Sequence, residues 1–272
     1  MYLYCVSNNI AELDLGACPK LESLYCDFNC LTKLNVRACP ELKNLACGNN
    51  KLTMLDISDC PELESLYCGS NKIKELDVSK CPDLKELSCV ANKLTVLNVS
   101  SCSKLYSLYC AANKLTSVNV SNCTKLRTFE STKNTYPITV PSARTFNLNK
   151  LPGTFDVSRT SNWVGGTVSG NILTVDSGAK QVTYDYDAGN GYKANFTLNV
   201  TVDENMPAYR PGDADNNGAV NSADALTILH YCVGDDVMIN AANADVNGDG
   251  TVSIHDALCI FQHEAGWDGV LR

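Results

Sequence analysis

Leucine and cysteine recur along the first half of the chain at a constant step. In the stretch 60–80 the apolar positions are Leu63, Leu66, Cys68, Ile73, Leu76 and Val78, with the polar Asn71 among them. Each position returns 21 residues away. From Leu66 the series runs through Leu3, Leu24, Leu45, Leu87 and Leu108 to Phe129, and from Asn71 through Asn8, Asn29, Asn50, Asn92 and Asn113 to Asn134. Two cysteine ladders keep the same step: Cys18, Cys39, Cys60, Cys81, Cys102 and Cys123, and Cys5, Cys26, Cys47, Cys68, Cys89 and Cys110. A unit of that length cannot bury its apolar face alone, so the pattern predicts a solenoid of stacked repeats over residues 1–136.

Within each unit Leu-x-Cys places two apolar side chains on one face of a short strand, and stacked copies form a parallel sheet with neighbours about 4.8 Å apart. Where the chain leaves the strand, backbone groups lose their sheet partners. An Asn amide, both donor and acceptor, is suited to satisfy them from one turn to the next.

The spacing LxxLxLxxNxL, with Cys in place of the second strand Leu and a continuation xxLDV, resembles the leucine-rich repeat in a short bacterial form. The resemblance implies a β-solenoid whose strand face recognises a partner. The residue between Leu and Cys points away from the core, and that column reads Tyr4, Tyr25, Ala46, Tyr67, Ser88, Tyr109 and Glu130. Tyr4, Tyr25, Tyr67 and Tyr109 are the candidate ligand residues, since Tyr among Ser and Asn suits adaptable recognition. The plain alternative is that aromatics simply favour strands. A protein segment or a sugar chain would both fit.

After Asn134 the repeat fails at Tyr136-Pro137 and composition shifts toward Thr, Val and Gly. Alternating segments turn at Gly170-Asn171 and at Gly189-Asn190-Gly191, which predicts hairpins. We expect a small β-sandwich over 137–203 that covers the open end of the solenoid, with Trp163 in its core. Residues 204–210 read as a linker.

The last segment, 211–272, carries the sharpest chemical signal. In "DADNNGAVNSAD" the residues Asp213, Asp215, Asn217, Ala219 (through its carbonyl), Asn221 and Asp224 take loop positions 1, 3, 5, 7, 9 and 12. In "DVNGDGTVSIHD", 32 residues later, Asp245, Asn247, Asp249, Thr251 (carbonyl), Ser253 and Asp256 take the same places. Alternating oxygens converge on one point, and the Gly at position 6 permits the bend. We expect two Ca²⁺ ions. Asn217 and Ser253 depart from the most acidic form of the pattern.

Pro207, Pro211 and Gly212 oppose a helix leading into the first loop. A duplicated loop-helix unit without leading helices resembles the type I dockerin of cellulosomes. That resemblance implies an all-α module folded by calcium that docks into the cohesin domain of a scaffoldin. It also implies partner contacts at loop positions 10 and 11 and on the following helix: Ser222, Ala223 and His230 in the first half, Ile254, His255 and Gln262 in the second. The unlike pairs favour a single docking orientation.

Fifteen cysteines in 272 residues raise the question of disulfides or metal. In-register thiols on parallel strands lie slightly too far apart for a bridge, and no CxxC cluster occurs, so packing as small hydrophobes is expected. Cys30, Cys232 and Cys259 fall outside both ladders. The formal charge of −8 disfavours nucleic acid, and no apolar run is long enough to span a membrane. The three histidines, His230, His255 and His263, all lie in the last segment, which argues against Ser-His or Cys-His chemistry elsewhere. Asp14, Asp56 and Asp77 form a solvated column rather than a catalytic pair. A non-catalytic, multidomain, extracellular cellulosome component of an anaerobic bacterium is expected, and because the chain opens in mid-repeat, a piece of a longer protein.

Overall fold

The computed structural model describes residues 1–204, 206, 210–267 and 271. Most of the expected linker therefore lies outside the described residues. The chain divides into two compact units: residues 1–136, 152–163 and 183–199 form the first, and 137–151, 164–182 and 200–272 the second. The stretch expected as one sandwich contributes to both.

Seven three-residue strands build the repeat sheet in sequence order: β1 (Tyr2–Tyr4), β2 (Ser23–Tyr25), β3 (Asn44–Ala46), β4 (Ser65–Tyr67), β5 (Glu86–Ser88), β6 (Ser107–Tyr109) and β7 (Thr128–Glu130). Every pairing is parallel and shifted by one repeat, as in Leu45↔Leu66 and Leu87↔Leu108. The central leucines from Leu24 to Leu108 are at most 1% exposed, and each repeat adds its Cys, Leu and Val columns to the same core.

The Asn column closes the turns. Asn50 donates to the carbonyls of Cys26 in the preceding repeat (3.0 Å) and Cys47 in its own (3.1 Å), while its Oδ1 accepts from Leu31 N–H at 3.0 Å. Asn29, Asn71, Asn92, Asn113 and Asn134 repeat this, each reaching back to a Cys carbonyl. On the far side of each repeat a second polar column forms Asx turns: Asp56, Asp77, Asn98 and Asn119 accept from the N–H two residues on. All fifteen cysteines are free. Burial pushes the thiols of Cys26, Cys60, Cys68 and Cys110 up to about 12, so they stay protonated and inert.

One residue per repeat lies in the left-handed region without being glycine: Ser7, Phe28, Asn49, Ser70, Ala91, Ala112 and Lys133, with φ from 51 to 58°. The sequence gives no sign of it, because no glycine column marks the place.

Beyond the repeats come β8 (Asn134–Val140), β9 (Thr145–Asn147), β10 (Thr160–Val164), β11 (Gly166–Ser169), β12 (Ile172–Val175), β13 (Gln181–Gly189) and β14 (Tyr192–Val202). They form a four-stranded sheet, β10-β13-β14-β8, and a three-stranded sheet, β11-β12-β9. The hairpin turns fall at Gly170-Asn171 and Asn190-Gly191, as the sequence predicts. Within the first unit β13 and β14 meet the last repeat. The buried Tyr184 phenol donates to Thr116 O at 2.6 Å, Asn190 to Val120 O at 2.6 Å, and Tyr192 to Leu126 O at 3.1 Å. Trp163 stacks on Tyr184 with centroids 4.4 Å apart.

In the second unit α1 (Ser222–Cys232) packs on α3 (Ile254–Glu264), with the short α2 (Ala241–Ala244) between them in sequence. Their core pairs equivalent residues of the two halves: Ala214 with Val246, Ala225 with Ala257, Ile228 with Ile260.

Candidate metal centre

In the first loop the chain turns on Asn216 (φ 61°) and Gly218 (φ 88°), and in the second on Gly248 (φ 73°) and Gly250 (φ 88°). These bends aim side-chain oxygens inward. Carboxylate oxygens of Asp213, Asp215 and Asp224 lie within 4.8 Å of one another. Asp213 is 3% exposed and Asp224 fully buried, while Asp215 sits at the rim. Asp213 accepts from Gly218 N–H at 3.1 Å, and Asp224 from the N–H groups of Asp215 (3.2 Å) and Asn221 (3.0 Å). Three anionic oxygens in a partly buried loop, held by backbone N–H groups, are a hard-cation donor set. No other such triple occurs among the described residues.

The second loop repeats the scaffold with its third carboxylate at position 5, Asp249, instead of position 3. Asp245 accepts from the N–H groups of Gly248 and Gly250, both at 3.0 Å, and Asp256 from Val246 and Asn247 at 3.0 and 3.2 Å. Asn247 stands where the first loop has Asp215, and its amide donates to Asp249 at 3.0 Å. Burial pushes the carboxyls of Asp224 and Asp245 up, whereas hydrogen bonds from Thr251 hold Asp249 low. A divalent cation in each loop would offset the cost of keeping Asp224 and Asp245 ionised.

Two features escape a reading by loop position. Asn221 and Ser253 are the N-caps of α1 and α3, and their side chains accept from Ala223 and His255 N–H. Asp224 and Asp256 close the matching capping boxes. The signals N-x-x-D and S-x-x-D were legible as caps. Thus the position-9 oxygens already serve a helix terminus, and position 12 is at once a cap and a ligand candidate. Asn243, fully buried on α2, donates to Asp213 O at 2.9 Å and to Asn216 Oδ1 at 3.1 Å, bracing the first loop from the other half.

Residues 211–263 match the family described as dockerin type I domain, and residues 40–81 match leucine rich repeats (2 copies). Residues 40–81 thus carry leucine-rich repeats, and residues 211–263 a type I dockerin domain. It is similar to the functional domain of InlJ from Listeria monocytogenes, described as including a cysteine ladder. Identity there is 21%, over 74% of this chain and 62% of that chain, with a TM-score of 0.35. A leucine-rich repeat protein of Leptospira interrogans is 23% identical over 50% of this chain and 38% of its own, TM-score 0.47. The internalin InlF of L. monocytogenes is 21% identical over 45% and 38%, TM-score 0.44. The chain thus spans less than two thirds of each of these relatives. No curated protein matches it.

In the dockerin, Ala223, His230, Ile254 and His255 are exposed, Ser222 and Gln262 half-buried. His230 Nδ1 lies 2.5 Å from Asp235 Oδ2. The sequence reading missed Leu226 and Leu258, equivalent positions of the two halves, which are 50% and 51% exposed. Phe261 and Ile254 add to the apolar surface of α3.

The repeat face is less open than expected. Tyr4 (67%) and Tyr67 (38%) are exposed, but Tyr25 and Tyr109 are half-buried. Tyr4 and Tyr25 stack with centroids 4.6 Å apart and planes 1° from parallel. Ala46 and Ser88 interrupt the column. The phenols of Tyr67 and Tyr106 both donate to Glu86, so Tyr106, not foreseen, belongs to the same surface.

Proposed function

We propose that this protein is a non-catalytic, extracellular component of a cellulosome, anchored by its dockerin to a scaffoldin cohesin in a calcium-dependent way. The observation that carries this reading is the convergence of Asp213, Asp215 and Asp224 within 4.8 Å, in a loop repeated around Asp245, Asp249 and Asp256. Two Ca²⁺ ions would be held by Asp213, Asp215, Asn217, Asp224 and the Ala219 carbonyl, and by Asp245, Asn247, Asp249, Asp256 and the Thr251 carbonyl. Asn221 and Ser253 would act through water, since their own oxygens cap helices. The exposed Leu226, Leu258, Ile254 and Phe261 supply apolar anchors for the cohesin, with Ser222, Ala223, His230, His255 and Gln262 at their margin.

The organisation we favour is a repeat solenoid over 1–136, a β-sandwich cap over 137–203, a linker over 204–210 and the dockerin over 211–272. The bonds from Tyr184, Asn190 and Tyr192 to carbonyls of the last repeat support the capping role. The repeat face, centred on Tyr4, Tyr25, Tyr67 and Tyr109, is read as a protein-recognition surface. The stacked Tyr4 and Tyr25 rings favour one alternative, a sugar chain laid along that face.

A cohesin panel probed with and without EDTA tests the anchor. We expect nanomolar to micromolar binding to at least one cohesin, lost on chelation and weakened at least about tenfold by Leu226→Asp or Leu258→Asp. Binding that ignores EDTA would overturn the calcium dependence.

A further inference from the structure

A cavity of about 580 Å³ opens in the first unit where the loop 152–159 folds against residues 95–122. That volume suits a small ligand, for which sites run from about 300 to 1,000 Å³. Among its lining side chains are one cation, Arg159, one carboxyl, Asp156, and the amides of Asn98 and Asn119. The Arg159 guanidinium carbon lies 5.3 Å from the centroid of the buried Tyr186 ring and has no ion-pair partner among the described residues. Asn98 and Asn119 each commit Oδ1 to an Asx turn, accepting from Ser100 and Ser121 N–H at 3.0 Å. What each has left to offer is its amide N–H group.

The same column shows what the sequence has changed here. At the equivalent Asp56, Oδ1 accepts from Ser58 N–H and Oδ2 takes the Arg37 guanidinium at 2.5 Å. The column reads Asp14, Asn35, Asp56, Asp77, Asn98 and Asn119, so both of its members that line the cavity are amides. Arg159 is therefore left without a carboxylate from the repeats. Asp156, which also lines the cavity, accepts at Oδ1 from the backbone and hydroxyl of Ser158 at 2.9 and 2.6 Å, which leaves Oδ2 as the acceptor. Phe155 and the exposed methyls of Val96 add apolar surface beside these polar groups.

We infer that this cavity is a binding site for a carboxylated sugar, a uronate unit, with Arg159 taking the carboxylate. The guanidinium and a carboxylate match as a charge-assisted pair. The hydroxyl and ring oxygens of the sugar accept from the Asn98 and Asn119 amides, one hydroxyl donates to Asp156, and the C–H face of the ring rests on Phe155. An acidic peptide would satisfy Arg159 but carries no hydroxyl array for the two amides. This site is separate from the tyrosine face and independent of the dockerin.

Calorimetric titration of the full calcium-loaded chain tests it, using trigalacturonate, a neutral galactose trisaccharide and an acidic peptide of equal charge. Trigalacturonate binds, and the other two bind at least about tenfold more weakly. Arg159→Met lowers the affinity at least about tenfold. Asn119→Asp, which restores the residue type found at Asp56 and Asp77 and keeps the Asx turn, does the same at unchanged Tm. Tyr25→Ala and Tyr67→Ala leave it as it was. No heat with trigalacturonate, tighter binding of the peptide, full affinity in both pocket variants, or loss of binding in the tyrosine variants would each overturn the site. A chain that takes trigalacturonate but no cohesin would sink the docking reading alone.

Discussion

The Asn92 amide donates to the Cys68 carbonyl of the preceding repeat at 3.0 Å, inside the core and out of reach of water. It also donates to Cys89 O at 3.2 Å, and its Oδ1 accepts from Ile73 N–H at 3.0 Å. Asn92→Ala leaves Ile73 N–H buried without this acceptor, while Cys68 O and Cys89 O each lose one of two donors and keep Asn71 and Asn113. At about 1–3 kcal/mol for such a group, we expect a loss of about 2 kcal/mol in urea unfolding. Asn8, exposed in the first repeat, bonds only within its own turn, and Asn8→Ala should cost under about 1 kcal/mol. Equal costs at both positions would count against a turn-to-turn role.

The thiol ladders make the fold sensitive to alkali. Burial raises Cys26, Cys60, Cys68 and Cys110 from an ordinary 9.0 to about 12, and Cys81 and Cys123 to about 11. The native state thus keeps protons that the unfolded chain releases. Stability from these groups is complete below pH 9.0 and is lost as the pH rises toward 12. The urea midpoint should be flat in this respect from neutrality to about pH 8.5 and fall steeply above pH 9. At pH 8 a thiol reagent should modify the exposed Cys232 promptly, and the buried ladder only in denaturant.

Asp224 serves helix and loop together, so its replacements should separate the two roles. Asp224→Ala removes the capping box and a carboxylate. It should weaken α1 by about 1 kcal/mol even without calcium and abolish one of two calcium-induced steps in helical circular dichroism. Asp224→Asn keeps an acceptor for the cap and should lose mainly the metal step. Two intact steps in the Ala variant would remove Asp224 from the coordination shell.

Tyr184 ties the added strands to the repeats through its bond to Thr116 O. Tyr184→Phe preserves the stack with Trp163 but leaves a buried carbonyl without this donor. We expect a loss of about 1–2 kcal/mol, seen first as faster hydrogen exchange around residues 113–123. Exchange that quickens equally in the first repeat would point instead to a global effect.

The repeats were legible because one set of residues does one job at every turn. Leu24, Cys26 and Asn29 are read once and their counterparts follow by position. The calcium loops were legible for the same reason, since Asp213 and Asp245 head equal patterns. What escaped depends on tertiary placement. The dual use of Asp224 appears only when the loop is seen to end in a capped helix, and Asn243 braces a loop some thirty residues upstream. The Arg159 cavity joins segments far apart in sequence. Tyr25 and Tyr109 were expected to be open because alternation tells inside from outside, but not how closely a neighbouring side chain covers its flank.

The left-handed column of Ser7, Phe28, Asn49, Ser70, Ala91, Ala112 and Lys133 gives the array a set of dials. A side chain with Cβ in that region costs about 1–2 kcal/mol, and glycine or asparagine eases the conformation. Because each rung touches only its neighbours, exchanging Ser70 and Ala112, two rungs apart, for Asn should raise stability by increments that add. The ribbon is thus tunable turn by turn for rigidity, with the tyrosine column itself left unchanged.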